Sequence, residues 1–299
     1  MQPAKEEISG FLKSLQDEIC ASLENADGHS LFVEDKWTGE QGGGGRTRVL
    51  TNGNVIEKGA VNFSEVFGKL SDKMVKALAV DSNDFYATGV SLIMHPQSPM
   101  VPIVHMNVRY FELGNGKYWF GGGIDLTPHY VNAEDAKFFH TSLKNVCDKF
   151  DASYYPAFKE LADNYFFIKH RNETRGIGGI FFDKLAEGIK HTKQDRFDFI
   201  KAVGNTFSPV YTELMKKNRN LFYGDSEKQW QLLRRGRYVE FNLVYDLGTR
   251  FGLETEGRVE SILLSLPKTA AWEYNIVPQK GSKEFETTEF LKKGIDWIN

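Results

Sequence analysis

The chain reads as an α+β protein, a single domain over residues 1–299 built on an antiparallel sheet with helices before, between and after it. Three observations predict this class. The extended runs come mostly as hairpins, stretches of helical period surround them, and no Pro/Ser-rich linker or internal repeat divides the chain.

The first element is a helix, because Ile8, Phe11, Leu12, Leu15, Ile19 and Leu23 fall at helical spacing. A run of four glycines then precedes Arg46-Thr47-Arg48-Val49-Leu50; no Lys-Ser/Thr pair closes it, so it is not a phosphate-binding P-loop. Thr51-Asn52-Gly53-Asn54 signals a hairpin. Phe63 to Val80 returns to helical spacing. Strands follow at about 86–94, 103–111 and 117–126, the last two joined by Gly114-Asn115-Gly116-Lys117. Asn132 with Asp135 resembles a helix cap. Another helix covers about 154–169. Arg175 to Asp183 is glycine-rich and precedes a helix near 194–218. A short helix at 226–234 leads into Arg237–Asp246 and Arg258–Leu266, both strand-like, and Glu284 to Ile298 is again helical.

Composition excludes several classes. Apolar residues at 41% and charged residues at 26% give an ordinary globular profile. A net charge of -3 argues against a nucleic-acid binder. No run approaches the ~18 apolar residues of a membrane span. The N-terminal segment lacks a signal-peptide apolar region and is acidic for a transit peptide, so a cytoplasmic protein is expected. Cys20 and Cys147 make no disulfide scaffold and cannot ligate an all-cysteine iron–sulfur cluster. The 23 Phe supply either a large core or the walls of a pocket for a flat, apolar ligand.

The candidate chemistry gathers in one stretch. On a strand from Val104 to Phe111, His105, Asn107 and Arg109 share one face while Val104, Met106, Val108 and Tyr110 share the other. An imidazole, an amide and a guanidinium in a row suit an anionic ligand, and a buried Arg109 needs a carboxylate. A two-residue Asn115-Gly116 turn would pair Arg109 with Gly122 and aim Asp125 away from His105. A bulge within Gly121-Gly122-Gly123 would bring Asp125 back, and we expect that bulge. His95, His105, His140 and His170 could form a metal site, although none shows the paired spacing of a zinc motif. Arg234, Arg235, Arg237, Arg250 and Arg258 make the C-terminal half locally basic, either as intrachain ion pairs or as clamps for carboxylates.

In order and density the segments GGGGRTRVL (42–50), EKGAVNFSEVFG (57–68), HMNVRYFE (105–112), YWFGGGIDLTP (118–128), KHRNETRGIGGIFFD (169–183) and RRGRYVEFNLVYDLGTRFGLETEGRVESILLSLP (234–267) resemble the oxygen-dependent coproporphyrinogen-III oxidase family over nearly the whole chain. The resemblance implies a roughly seven-stranded antiparallel sheet flanked by helices, and a homodimer to which residues 235–270 contribute. It implies oxidative decarboxylation of two propionates of coproporphyrinogen III to vinyl groups in haem biosynthesis, giving protoporphyrinogen IX. Molecular oxygen is then the co-substrate, with no organic cofactor. By matching motif, His105 is the proton donor. Asp125 handles the pyrrole N–H groups, and Arg109 belongs to the same catalytic set. Ser91, Asn107, Val108, Arg109, Glu256, Gly257 and Arg258 contact the substrate. His95, His105, His140 and His170 match positions proposed to bind a divalent metal in some members. Two residues depart from the family pattern: Glu256 stands where a glycine is expected and Leu247 where an arginine is expected. They are the best arguments for the alternative, a non-catalytic tetrapyrrole-binding protein on the same fold.

Overall fold

The computed structural model describes residues 2–39, 41–254 and 258–299, apart from the side chains of Lys73, Ala77, Leu78 and Phe251. Helix α1 (Lys5–Asp27) leads into β1 (Val33–Thr38), β2 (Gly43–Thr51) and β3 (Ile56–Lys69). Helix α2 (Asp72–Leu78) precedes β4 (Asp84–Pro96), β5 (Ile103–Leu113) and β6 (Tyr118–Thr127). Then come α3 (Ala133–Asp148), α4 (Tyr154–Tyr165), the short strands β7 (Phe167–Ile168) and β8 (Glu173–Thr174), and β9 (Gly178–Leu185). Helices α5 (Lys193–Asn218), α6 (Asp225–Val244), α7 (Leu247–Glu254), α8 (Val259–Leu263) and α9 (Lys283–Phe290) complete the chain. Among the described residues no helix is long and apolar enough to cross a membrane.

One antiparallel sheet of seven strands, in the order β1-β2-β3-β4-β5-β6-β9, carries the fold. Its two faces differ. One face presents Leu50, Val61, Val90, Leu92, Val104, Met106, Val108, Phe120, Ile124 and Ile180, all buried in the main core with the apolar stripes of α1, α3, α4 and α5. Alternation along each strand then sends the intervening residues to the other face. Among the described residues that second face is covered mainly at one end, where Tyr238 of α6 and Leu264 lie over Ala60, Ile93 and Ile103.

The sheet class, the helix at 5–27 and the hairpin at Asn52-Gly53 follow the sequence expectation, Asn52 taking a positive φ of 58°. Asn132 does cap α3, its side chain accepting from the Asp135 N–H. Other expectations are corrected. Phe63 to Val80 is not one helix: β3 runs on to Lys69, and only Asp72–Leu78 is helical. Val61 and Phe63 alternate with Asn62 and Ser64, so their burial has period two, while Phe67 is left largely exposed. Helix α4 stops at Tyr165, and Phe167–Ile168 pairs with Glu173–Thr174. Arg237–Asp246 is not a strand but mostly the second half of α6, where Trp230, Leu233, Arg234, Tyr238 and Phe241 form one buried helical stripe. Arg258–Leu266 likewise contains the short helix α8, and α9 ends at Phe290. The glycine-rich segment after Arg175 becomes β9, the edge strand beside β6.

Candidate active site

The open face is organised in rows across the sheet. His105 on β5 stands opposite Ile93 on β4 and Asp125 on β6. The next row runs Thr47, Asn62, Ser91, Asn107, Gly123 from β2 to β6. The row after it runs Gly45, Ser64, Gly89, Arg109, Gly121. Small residues thus alternate with a few functional side chains, leaving a floor with little relief. At Gly121 the absence of a side chain is required, since a Cβ there would lie 2.6 Å from Asp183 Oδ1 and 2.9 Å from an Arg109 terminal nitrogen.

Asp125 joins the His105 face, as expected, but not by a bulge. Pairing of β5 with β6 is uninterrupted, Arg109 facing Gly121 rather than Gly122. The reason is the turn. Gly114-Asn115-Gly116 is a three-residue link, closed by Leu113 N–H to Lys117 O at 2.8 Å and Gly116 N–H to Leu113 O at 2.9 Å, with Gly116 at φ 83°. The irregularity of β6 lies on its other side, against β9 between Phe120 and Gly122.

His105 donates through Nδ1 to Asp125 Oδ1 at 2.9 Å. Arg175 donates to the other carboxylate oxygen at 2.6 Å and to Asn242 Oδ1 at 2.9 Å. The Arg175 guanidinium lies 4.4 Å from the Phe166 ring and 4.7 Å from both Tyr238 and Phe241. Asp125 and Arg175 are both buried, whereas the His105 side chain is 29% exposed. Burial pushes the Asp125 carboxyl upward, but Arg175 and then His105 outweigh it and hold the group below its ordinary range. The result is a charged base plate under a partly open imidazole whose Nε2 is not used by Asp125.

Arg109 lies beside this pair on the same face. Its guanidinium donates to Asn107 Oδ1 and to Asp183 Oδ1, both at 2.8 Å, and both members of the Arg109–Asp183 ion pair remain partly exposed. Ser91 sits directly opposite Asn107. Val108 is different: its side chain points into the main core and is fully buried, so only its backbone belongs to this face. Arg258 pairs with Asp35 of β1 and has one terminal nitrogen buried without a partner among the described residues. Asp35 faces Thr47, placing Arg258 on the same face four strands from β5, roughly 19 Å at ~4.8 Å per strand. Glu256 and Gly257 lie outside the described residues.

The four histidines do not converge. His140 is buried on the helical side of the sheet, with both ring nitrogens bonded, to Tyr155 Oη and to Ile177 O, each at 3.0 Å. His95 is buried under the Tyr238 ring and bonded to Ser265 O at 2.9 Å. His170 lies at the surface, bonded to Tyr245 Oη at 2.8 Å and Glu240 at 2.6 Å. Among the described residues no group of three or more His, Cys, Asp or Glu is placed to hold a metal. These four residues therefore do not fit a common ion.

The basic residues of α6 are largely internal ion pairs: Arg234 with Glu173 at 2.9 Å, Arg235 with Glu57 at 2.6 Å and Arg237 with Glu240 at 3.1 Å. Sequence reading missed Arg175 and Asn242. A lone arginine before a glycine-rich edge strand was a usable signal for the first. None existed for Asn242 once its helix was read as a strand.

Known proteins share this sequence pattern over its full extent. A family model described as coproporphyrinogen III oxidase matches residues 7–297. Two oxygen-dependent coproporphyrinogen-III oxidases from Prochlorococcus marinus are similar throughout. That of strain MIT 9312 is 44% identical over 320 residues, covering 99% of this chain and 93% of the relative. That of strain MIT 9301 is 43% identical with the same coverage.

Proposed function

Because this chain belongs to the coproporphyrinogen III oxidase family, we propose that its open sheet face binds coproporphyrinogen III and that His105 handles protons there. The protein is an oxidoreductase of haem biosynthesis that uses oxygen to oxidise coproporphyrinogen III. In the reading we favour, two propionates become vinyl groups; each loses carbon dioxide and two hydrogens, and each pair of hydrogens reduces one oxygen molecule to hydrogen peroxide. The observation that carries this reading is the Arg175–Asp125–His105 relay, opening beside Arg109 on a floor of small residues.

The physical roles follow. A flexible tetrapyrrole rests on the flat rows containing Gly89, Gly121, Gly123 and Ser91. Arg109 and Arg258 attract its carboxylates, for which the guanidinium fork is suited. Asp125 fixes the His105 ring through Nδ1 and leaves Nε2 to deliver or shuttle a proton. Both Asp125 oxygens are engaged by protein groups, and this makes His105 the presenting group and Asp125 its support.

The decisive experiment adds anaerobically prepared coproporphyrinogen III and then oxygen, and measures carbon dioxide. Release by the wild type and its loss in His105→Ala support the reading. Tight binding without carbon dioxide would favour the non-catalytic tetrapyrrole-binding alternative.

A homodimer is part of the same proposal. Leu243, Val244, Leu247, Val259 and Trp272, all in or beside α6–α8, are 44–62% exposed. Such an apolar surface suits a second copy. Sedimentation should give twice the 34.0 kDa chain mass. A cytoplasmic, reducing setting accords with the two buried free thiols, Cys20 and Cys147.

A further inference from the structure

Asn62 lies in the polar row across the open face, opposite Thr47 on one side and Ser91 on the other. Its Oδ1 is buried and has no hydrogen-bond partner among the described residues. Neither neighbour relieves it: the Thr47 hydroxyl is engaged with Ser261 Oγ at 3.1 Å, and no hydrogen bond among the described residues joins the Ser91 hydroxyl to Asn62 Oδ1. A buried carbonyl oxygen left unpaired costs about 1–3 kcal/mol. An apolar residue of similar size would remove that cost. A buried polar atom without a partner calls for a reason.

The chemistry of the ligand supplies one. At neutral pH the carboxylates of coproporphyrinogen are hydrogen-bond acceptors only, so a carbonyl oxygen has nothing to offer them. The donors of the macrocycle are its pyrrole N–H groups, which need acceptors once removed from water. We propose that Asn62 is a further substrate-binding residue whose side-chain oxygen accepts from a pyrrole N–H of the reduced macrocycle. This assignment rests on the functional reading above and deepens it. The floor then has two kinds of contact, with Arg258 and Arg109 on either side meeting carboxylates and an amide oxygen on a strand between them meeting N–H. The amide also provides discrimination, because coproporphyrinogen carries four pyrrole N–H donors and oxidised coproporphyrin only two.

The test is Asn62→Leu, with Asn62→Ala as a second variant. The assignment predicts a thermal midpoint equal to or above that of the wild type, because an unpaired polar atom has been removed. It predicts KM for coproporphyrinogen III raised about fivefold to tenfold, with kcat lowered less, as for loss of one buried hydrogen bond. Affinity for coproporphyrin III, followed by its fluorescence, should fall by a smaller factor. If the wild type releases carbon dioxide and both variants keep KM within about twofold, the assignment of Asn62 is overturned while the functional reading stands. A midpoint lowered by several degrees in both variants, with KM unchanged, would make Asn62 structural. A wild type that releases no carbon dioxide overturns the functional reading first, and the assignment with it.

Discussion

His105 and Asp125 are cross-strand partners on β5 and β6, and their side chains meet at 2.9 Å on the less covered face of the sheet. The carboxylate is buried and the imidazole partly open. Replacing Asp125 with Asn keeps the shape but removes the charge that orients the ring. Turnover should fall about 10²–10⁴-fold, the range for lost general acid–base catalysis, with KM nearly unchanged. Steady-state kinetics checks this; activity within a few-fold of wild type would exclude the relay.

Arg175 neutralises Asp125 inside the protein and sits against three aromatic rings. Arg175→Met leaves the carboxylate buried without its ion partner. Urea unfolding should show a loss of about 3–5 kcal/mol. Converting Asp125 to Leu in the same chain should return much of it. Equal destabilisation in the single and double variants would mean that packing, not charge, is what Arg175 supplies.

Gly121 leaves the space in which Arg109 meets Asp183. Gly121→Ala should push the guanidinium off its position and raise KM about tenfold, the effect of roughly 1.4 kcal/mol of lost charge-assisted binding. His105 chemistry should persist, so kcat at saturation should change little. An unchanged KM would show that Arg109 does not contact the substrate.

Three buried histidines make stability pH-dependent. Burial lowers His95 and His140 to about 3 and holds His129 well below its ordinary value. Each therefore stays neutral in the folded state while the unfolded chain takes up a proton below about pH 6.5. The stabilisation is complete above that pH and is lost progressively on acidification toward pH 3, at up to about 1.4 kcal/mol per pH unit for each residue. Asp125 acts in the same sense at lower pH, because its folded-state value is depressed. Tm measured from pH 8 to pH 5 should fall, and His140→Gln should flatten the curve. A flat wild-type profile would contradict the burial argument.

Much of this was legible in the sequence, for definable reasons. Strict alternation through His105, Asn107 and Arg109 assigned a face correctly, because period two survives any tertiary context that keeps the strand. The Asn132 cap and the helix over Ile8–Leu23 are local signals with local causes. The errors came where local pattern was ambiguous. Phe63, Val66, Phe67 and Leu70 mimic a helix, yet the sheet claims the segment through Val61 and Phe63. Val239, Phe241 and Leu243 mimic a strand, yet Tyr238 and Phe241 are drawn to Arg175 along a helical stripe. The Asp125 orientation was right for a wrong reason, since the loop length and not a bulge sets the register. Arg175 and Asn242 lie far from Asp125 in sequence, and such contacts leave no periodic trace.

The glycine-rich link at residues 114–116 has a remote effect. It sits roughly 30 Å along the strand from Asp125, at about 3.4 Å per residue. Removing one residue there would rotate the whole of β6 by half a turn and bury the acid among helices, far from its imidazole. Exposed hairpin tips ordinarily tolerate insertion and deletion. This one acts as a spacer for chemistry at the opposite end of the ribbon, so its length should matter more than its composition.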